Sequence, residues 1–176
     1  KLHGPIQAEL AAATIRIERK ISKGGVNPAA VAEIQQDLVG KLNILLSTDS
    51  VTPNLAEVLG EMRETWDGIA DIEFTVNPAA GSLLAKDPIA VETALEIVRE
   101  ACSNAIRHGK ADEIRVDISE ATQDSVTIEI ADNGSVHDGS GPAGLGTKYL
   151  TDCTIENSRQ ASDSGSVLIA VIPVRA

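Results

Sequence analysis

Four polar residues recur in one stretch of the sequence at spacings that place them on a common helix face. They are Glu100, Asn104, Arg107 and His108, and residues three, four or seven apart lie on one side of an α-helix. A carboxylate one turn from a side-chain amide can hold a hard cation through oxygen atoms. Magnesium demands oxygen ligands and keeps several waters, which a carboxylate can orient. An ordinary solvated face of an amphipathic helix is the alternative, and the spacing alone does not decide between the two.

A second group, Asp132-Asn133-Gly134, directly follows a predicted strand. An aspartate at a strand end can point its carboxylate into a pocket, where it would accept a hydrogen bond from an amino group such as that of adenine. The glycine lets a planar ligand approach the backbone. The same three residues are also typical of a hairpin turn, so both interpretations stay open.

A glycine-rich segment, Gly139 to Lys148, precedes a predicted short helix. Glycines before a helix start free the backbone amides to face an anion, and the helix dipole assists. Thr147 could cap this helix, and Lys148 could add a positive charge. The segment lacks the G-K-[ST] ending of a P-loop, and a flexible surface loop is the alternative.

Charge and cysteine content narrow the class of protein. The 15 Lys and Arg against 26 Asp and Glu give a net charge of −11, which argues against a nucleic-acid partner because phosphate-backbone binding needs a basic surface. A nucleotide remains compatible, since a metal ion and a helix N-terminus can neutralise its phosphates locally. Cys102 and Cys153 form no C-x-x-C pair. This disfavours a zinc site or disulfide framework and favours a reducing, cytoplasmic setting.

No run of 18 apolar residues predicts a membrane span, and we expect no direct membrane contact of this segment. The sequence begins at Lys1 and not at a methionine. We therefore expect a piece of a longer protein, with any sensor or membrane segment upstream.

Residues 1–50 carry two amphipathic helical stripes separated by a break at Ser22 to Gly25. Asn27 followed by Pro28 is typical of a helix start. Two such helices predict an antiparallel hairpin, which buries too little surface alone and is expected to pair with a second copy in a dimeric four-helix bundle. The apolar positions are Leu2, Ile6, Leu10, Ala13 and Ile17, then Val31, Ile34, Leu38, Leu42 and Leu45.

Residues 51–176 are predicted to form a separate α+β domain. The pattern indicates helices over Leu55–Trp66 and Pro88–His108, a turn at Asn77-Pro78 and a short helix near Lys148. This order favours a two-layer α/β sandwich, with one mixed sheet and helices on one of its faces. The expected strands are Ile72–Val76, Glu113–Ser119, Ser125–Ala131, Cys153–Asn157 and Ser166–Val174.

Taken in chain order, these motifs resemble the GHKL ATP-binding superfamily of histidine kinases, type II topoisomerases, heat-shock chaperones and mismatch-repair ATPases. The segment from Glu100 to His108 resembles the N box of histidine kinases, Asp132–Gly134 the first glycine box and Gly141–Gly146 the second. The resemblance covers about residues 52 to 174 and implies a Bergerat ATP-binding fold. Nine residues separate Gly134 from Gly144, a short lid that resembles the nitrate-sensor-like subfamily of sensor histidine kinases.

The resemblance implies ATP and Mg²⁺ as cofactors and gives a role to each motif residue. Asn104 would coordinate the metal, and Glu100 would support the metal and its waters. Asp132 would accept a hydrogen bond from the adenine amino group, next to Gly134. Ser166 stands where the family usually has threonine and keeps the hydroxyl. The other expected nucleotide contacts are Arg107, His108, Gly144, Leu145, Gly146, Thr147 and Lys148.

The segment Leu2-His3-Gly4-Pro5 then resembles a phosphoacceptor box. The imidazole of His3 is a nucleophile at neutral pH and forms a labile phosphoramidate. The family usually has an acid directly after this histidine, whereas Gly4 stands here. Either another carboxylate supplies its function, with Glu9 the nearest along the chain, or the kinase step is slow.

Three functions are consistent with the sequence. The first is a dimeric sensor histidine kinase that phosphorylates His3 and passes the phosphoryl group to the receiver domain of a response regulator. The second is a weak or inactive nucleotide-binding signalling module, an alternative that Gly4 keeps open. The third is a protein-serine kinase of the anti-sigma type, which the helical hairpin argues against.

Overall fold

The apolar stripes of the sequence form helices and strands in the computed structural model, which describes residues 3–22, 28–47, 54–135, 150–162 and 164–175. None of the helices in these ranges is long and apolar enough to cross a membrane. The helices are α1 (His3–Ser22), α2 (Pro28–Ser47), α3 (Leu55–Trp66), α4 (Pro78–Leu84) and α5 (Pro88–Arg107). The strands are β1 (Asp71–Val76), β2 (Glu113–Thr122), β3 (Ser125–Asp132), β4 (Glu156–Ser162) and β5 (Gly165–Pro173).

The strands form one mixed sheet with the order β1-β2-β3-β5-β4. Strands β1 and β2 run parallel, whereas the other neighbouring pairs are antiparallel. Alternate residues of the three central strands point to one buried face, as a period of two requires. The predicted mixed sheet is therefore confirmed. The buried residues on that face are Ile114, Val116, Ile118, Val126, Ile128, Ile130, Leu168, Ala170 and Ile172.

Helix α5 packs on this face at the centre of the core, with α3 and α4 on the same side of the sheet. Oδ1 of Asp87 caps its start by accepting hydrogen bonds from the amides of Ile89 and Ala90 at 2.9 and 3.3 Å. Pro88 takes the first helical position, where its missing N–H costs nothing. The two-layer arrangement agrees with the expected sandwich. The buried face of α5 carries Ala90, Val91, Ala94, Leu95, Ile97, Val98, Ala101, Cys102, Ser103, Ala105 and Ile106.

Helices α1 and α2 pack against each other as a hairpin, and α1 also packs against α3 and α5. Ala8 and Ala12 belong to the same buried cluster as α5 and the sheet. The guanidinium of Arg16 donates to the carbonyl of Thr65 at 2.8 Å. That of Arg19 donates to the carbonyls of Gly68 and Ile69 at 2.8 and 3.0 Å. The hairpin is thus docked on the rest of the chain through α1, while the division at residue 50 and the dimer stay predictions.

Two local expectations differ from the structure. The predicted turn at Asn77-Pro78 is the start of α4, because the Asn77 side chain accepts from the amide of Ala79 at 2.9 Å and so acts as an N-cap. The fourth strand begins at Glu156 and not at Cys153, since residues 150–153 are still helical and the amide of Thr154 donates to the carbonyl of Leu150.

Candidate functional site

The carboxylate of Asp132 is fixed at the end of β3 by two neighbours. Its Oδ1 accepts a hydrogen bond from the backbone N–H of Gly134 at 2.9 Å, and its Oδ2 accepts from Oγ of Ser166 at 2.7 Å. Ser166 is directly opposite Asp132 in the antiparallel pairing of β3 with β5. An ionised carboxylate has about four acceptor positions, so these two bonds orient it and leave capacity for the amino group of a ligand.

The turn after Asp132 packs onto the C-terminal end of α5. The carbonyl of Gly109 accepts hydrogen bonds from the amide and the hydroxyl of Ser135 at 2.7 and 3.1 Å. A Cβ atom on Gly134 would lie 2.9 Å from that same carbonyl oxygen. Glycine is therefore needed at position 134 for the close approach of Gly109, whereas the expected approach of a planar ligand to this backbone stays a prediction.

Glu100 and Asn104 face each other one turn apart on α5. Nδ2 of Asn104 donates to Oε1 of Glu100 at 2.9 Å, and both side chains are half-buried. This bond uses one carboxylate oxygen of Glu100. Oδ1 of Asn104 and Oε2 of Glu100 are of the oxygen type that magnesium prefers. In the described ranges no three His, Cys, Asp or Glu side chains converge on a metal-sized site. Asn104 and Glu100 offer two oxygen atoms of this type, and the magnesium ion expected there stays a prediction.

Cys102 is a buried cysteine on the helix that packs against β3. This residue is on the buried face of α5 between Glu100 and Asn104. Burial, and to a lesser extent the charge of Asp132, raise the pKa of the Cys102 thiol to about 12. The thiol is therefore neutral and packs as a small apolar group.

Gly165 allows the close approach of β5 to β3, a role that could not be assigned from the sequence. It adopts φ +137° at the start of β5, and a Cβ atom there would overlap the carbonyl oxygen of Asp132. Only glycine allows β5 to approach β3 this closely and bring Ser166 to Asp132. The sequence signal was weak, because Gly165 follows a polar turn in which a glycine is ordinary.

The remaining predicted site residues are placed only in part. Arg107 and His108 are exposed at the end of α5, and their contacts to a nucleotide stay predictions. His3 is the first residue of α1, and the description of the structure does not extend to its side chain. The residues of the glycine-rich segment lie outside the described ranges: Gly144, Leu145, Gly146, Thr147 and Lys148.

Comparison with known proteins identifies the same segment. The family model described as "Histidine kinase-, DNA gyrase B-, and HSP90-like ATPase" matches residues 90–170. The matched segment runs from the first turn of α5 into β5 and contains all three motifs. A search of the curated proteins finds no match to the chain.

The search of solved structures finds similarity to a histidine kinase and to an ATP-binding domain. The blue-light activated histidine kinase of Erythrobacter litoralis EL346 is 13% identical over 99% of this chain and 60% of its own, with a TM-score of 0.51. The histidine kinase domain of that protein is 12% identical over 92% of this chain and 82% of its own, with a TM-score of 0.49. The ATP-binding domain of PrrB from Mycobacterium tuberculosis is 19% identical over 70% of this chain and 96% of its own, with a TM-score of 0.46.

The first of these likenesses supports the fold and, at such low identity, nothing finer. The family match covers the helix, the strand end and the loop that carry the motifs. Residues 90–170 of the chain are therefore similar to the family of histidine kinase-, DNA gyrase B- and HSP90-like ATPases.

Proposed function

We propose that this chain is the catalytic part of a sensor histidine kinase and binds ATP with magnesium. The observation that carries the proposal is the fixed carboxylate of Asp132 at the end of β3, a strand that packs against α5, the helix that holds Glu100 and Asn104. Asp132 would accept from the adenine amino group. Asn104 and Glu100 would hold Mg²⁺, which neutralises phosphate charge when bound.

The net charge of −11 makes local neutralisation of the phosphates essential. Four negative phosphate charges would be repelled by an acidic protein unless a cation and backbone amides screened them. Glu100 acts through the metal in this proposal, so its own charge attracts the cation. Backbone amides of Gly144–Gly146 and the charge of Lys148 are proposed to complete the phosphate site.

Phosphoryl transfer requires mainly positioning and charge neutralisation. The proposed acceptor is His3, from which a response regulator receiver domain would take the phosphoryl group onto an aspartate. The hairpin of α1 and α2 is proposed to form a homodimer with a second copy, and the site of action is proposed to be cytoplasmic. Membership of the nitrate-sensor-like subfamily stays a prediction from the short lid.

A second candidate function is nucleotide binding without phosphorylation. Gly4 favours it, because the acid that usually follows the phosphoacceptor is missing from the sequence. The two candidates share the nucleotide site and differ only in what happens at His3.

Labelling with γ-³²P-ATP separates these candidates. A histidine kinase acquires label that is lost in acid and retained in alkali, and the His3→Gln variant acquires none while it still binds ATP. Label that survives in His3→Gln contradicts the proposed acceptor. Binding of ATP without any label in the wild type, in a sample shown to be dimeric, would favour the non-phosphorylating module. Acid-stable label on a protein serine would favour a kinase of the anti-sigma type.

A further inference from the structure

Asn133 stands between Asp132, the proposed adenine acceptor, and Gly134, whose amide binds that carboxylate. A hairpin turn does not explain this asparagine. Both edges of β3 are already paired at Asp132, with Ile114 of β2 and with Ser166 of β5, so the chain cannot fold back on β3 as a hairpin. A type I′ turn also needs a positive φ at both central residues, and neither Asn133 nor Gly134 has one. The reason for the asparagine therefore lies in its side chain.

The side chain of Asn133 holds the end of the loop between α5 and β2. Its Oδ1 accepts hydrogen bonds from the backbone N–H groups of Asp112 and Glu113, both at 3.1 Å. Its Nδ2 donates to Oδ1 of Asp112 at 2.8 Å. The backbone N–H of Asn133 also donates to the carbonyl of Glu113 at 3.2 Å. A side chain at position 133 thus needs both an acceptor and a donor, which the amide of asparagine provides.

The same loop binds the chain on the other side of Gly134. The carbonyl of Gly109 accepts hydrogen bonds from the amide and the hydroxyl of Ser135. In the next residue, Lys110, φ is +59°. This left-handed conformation is unfavourable for a residue other than glycine and persists where the surrounding contacts fix it. Residues 109–113 are therefore a firm base, to which the chain is bound both before and after Gly134.

This base determines where one of the two partners of the Asp132 carboxylate stands. The amide of Gly134 reaches Oδ1 of Asp132 at 2.9 Å because the chain bends at Asn133. The other oxygen is held from β5 by Oγ of Ser166. Loss of the Asn133 bonds would release the bend and leave the carboxylate with one fixed partner. The carboxylate would then spend less time in the orientation that the amino group of a ligand needs.

We propose that Asn133 is a positioning residue that makes the site selective for a purine with an amino group on its six-membered ring over one with a carbonyl at the same place. This inference rests on the proposed function, since it concerns adenine at Asp132. Asn133 acts through Asp132 and Gly134. A carbonyl in place of the amino group would set one acceptor against another, and a site built around a donor rejects such an analogue. The selectivity therefore depends on how firmly the carboxylate is held.

The alternative is that Asn133 stabilises only the start of β2. Loss of its hydrogen bonds would lower the free energy of unfolding in either case, so stability does not separate the two roles. The ratio of two nucleotide affinities does separate them. A loss of stability reduces the amount of folded protein, and it reduces the binding of both nucleotides by the same factor.

The test compares the affinities for ATP and for inosine triphosphate, which carries a carbonyl in place of the amino group. Both are measured by calorimetry with Mg²⁺, at a temperature at which every variant is folded. The wild type should prefer ATP by at least about tenfold. Asn133→Asp keeps an acceptor for both amides and sets a carboxylate against that of Asp112. Its preference for ATP should be about fivefold smaller than that of the wild type, the effect of one hydrogen bond.

Exchange of the two side chains should restore the pair. In Asn133→Asp/Asp112→Asn the amide at position 112 donates to the carboxylate at position 133, and the net charge is that of the wild type. Its preference for ATP should return to within about twofold of the wild-type value, as expected for two coupled positions. Asp112→Asn alone still offers an acceptor to Asn133 and should be as selective as the wild type.

Asn157→Asp is the matched control for the added charge. Asn157 is exposed on β4, and its Nδ2 donates to Oγ1 of Thr154 at 2.8 Å. The substitution is therefore chemically the same as Asn133→Asp and also removes one side-chain donor. It should leave the preference for ATP unaltered, because this asparagine is not joined to the bend that carries Asp132.

A second readout needs no nucleotide. Gly134 is buried, and exchange of its amide proton with solvent reports the hydrogen bond to Asp132. In Asn133→Asp this exchange should be about fivefold faster relative to that of Ile128. Ile128 is fully buried at the centre of β3, so its exchange reports opening of the sheet as a whole. The double variant should return the ratio to the wild-type value.

An unchanged preference for ATP in Asn133→Asp would overturn the proposal. A preference that is lost and not recovered in the double variant would overturn it too, and so would an equal loss in Asn157→Asp. If the wild type binds both nucleotides equally well, the assignment of adenine to Asp132 fails, and the selectivity fails with it. The exchange of Gly134 then still decides, independently, whether Asn133 holds the bend next to Asp132.

Discussion

Oγ of Ser166 donates a hydrogen bond to Oδ2 of Asp132 at 2.7 Å, across the pairing of β5 with β3. The serine is 8% exposed, so this bond is shielded from water and holds the carboxylate in one orientation. A hydroxyl at position 166 thus sets the direction in which the carboxylate of Asp132 points.

For the affinity of ATP binding, we expect the hydroxyl at position 166 to matter more than the size of the side chain. Ser166→Ala should weaken ATP binding by about 1 kcal/mol, the net contribution of one hydrogen bond. Ser166→Thr keeps the hydroxyl and should bind like the wild type. Isothermal titration calorimetry measures both. Equal binding by the alanine variant, or equal losses in both variants, would contradict this assignment.

Asn104 is expected to make ATP binding dependent on magnesium. In the wild type, removal of Mg²⁺ with EDTA should weaken ATP binding, because the phosphates lose their counter-charge. Asn104→Ala should bind at least about tenfold more weakly with Mg²⁺ present, since even outer-shell partners of a metal contribute that much. It should lose little more when EDTA is added. A full response to EDTA in this variant would show that Asn104 is not the metal ligand.

Gly165 is expected to be essential for folding of the strand pair that carries the site. Gly165→Ala places a methyl group against the carbonyl of Asp132 at a backbone conformation that L-residues avoid. It should lower the free energy of unfolding by about 2 kcal/mol or more. The matched control is Gly60→Ala in α3, where the added methyl meets nothing within 4 Å. That control should stabilise the protein by about 0.5–1 kcal/mol. Urea unfolding curves measure both changes, and a stabilised Gly165→Ala or a destabilised Gly60→Ala would contradict the prediction.

Asp87 is expected to contribute stability that depends on pH. The backbone N–H of Arg175, followed by those of Ala90 and Ile89, outweighs the effect of burial and holds the pKa of Asp87 below its usual value of 3.8. A folded-state pKa that is depressed stabilises the protein above the unfolded value, and this stability is lost as the pH falls through the folded value.

Asp87→Asn tests this dependence. The amide can still cap α5 but offers no charged acceptor to Arg175. It should lower the free energy of unfolding by about 1–2 kcal/mol at pH 7, and the difference from the wild type should shrink as the pH falls below 3.8. A difference that stays constant between pH 7 and pH 2.5 would show that the charge of Asp87 has no part in it.

The central part of the fold could be predicted from the sequence because its signals are local. Period-two alternation identified β2 and β3, and the stripe from Val91 to Ala105 identified α5. Asp132 was selected from its residue type at a strand end before a glycine, and Ser166 was selected through the resemblance to the family's motif. Their mutual hydrogen bond was not foreseen, because it depends on the register between β3 and β5.

Features that depend on tertiary packing could not be predicted from the sequence. Asn followed by Pro, as at Asn77-Pro78, is common both in turns and at helix starts. Only the packing of Leu83 and Leu84 into the core therefore distinguishes the helix α4 from a turn. The docking of α1 on α3 and α5 brings Gly4 to Glu96, residues more than 90 positions apart. No periodicity connects such positions, and neither Gly4 nor Glu96 is unusual in its own segment.

The account depends most on whether Asp132 binds the adenine of ATP, and calorimetric titration of Mg–ATP tests this directly. Asp132→Ala should bind about 1–3 kcal/mol more weakly than the wild type, the cost of leaving a buried donor unpaired. Glu129→Ala, which removes an exposed carboxylate from the opposite face of the same strand, should bind like the wild type. Unchanged affinity in Asp132→Ala would contradict the account.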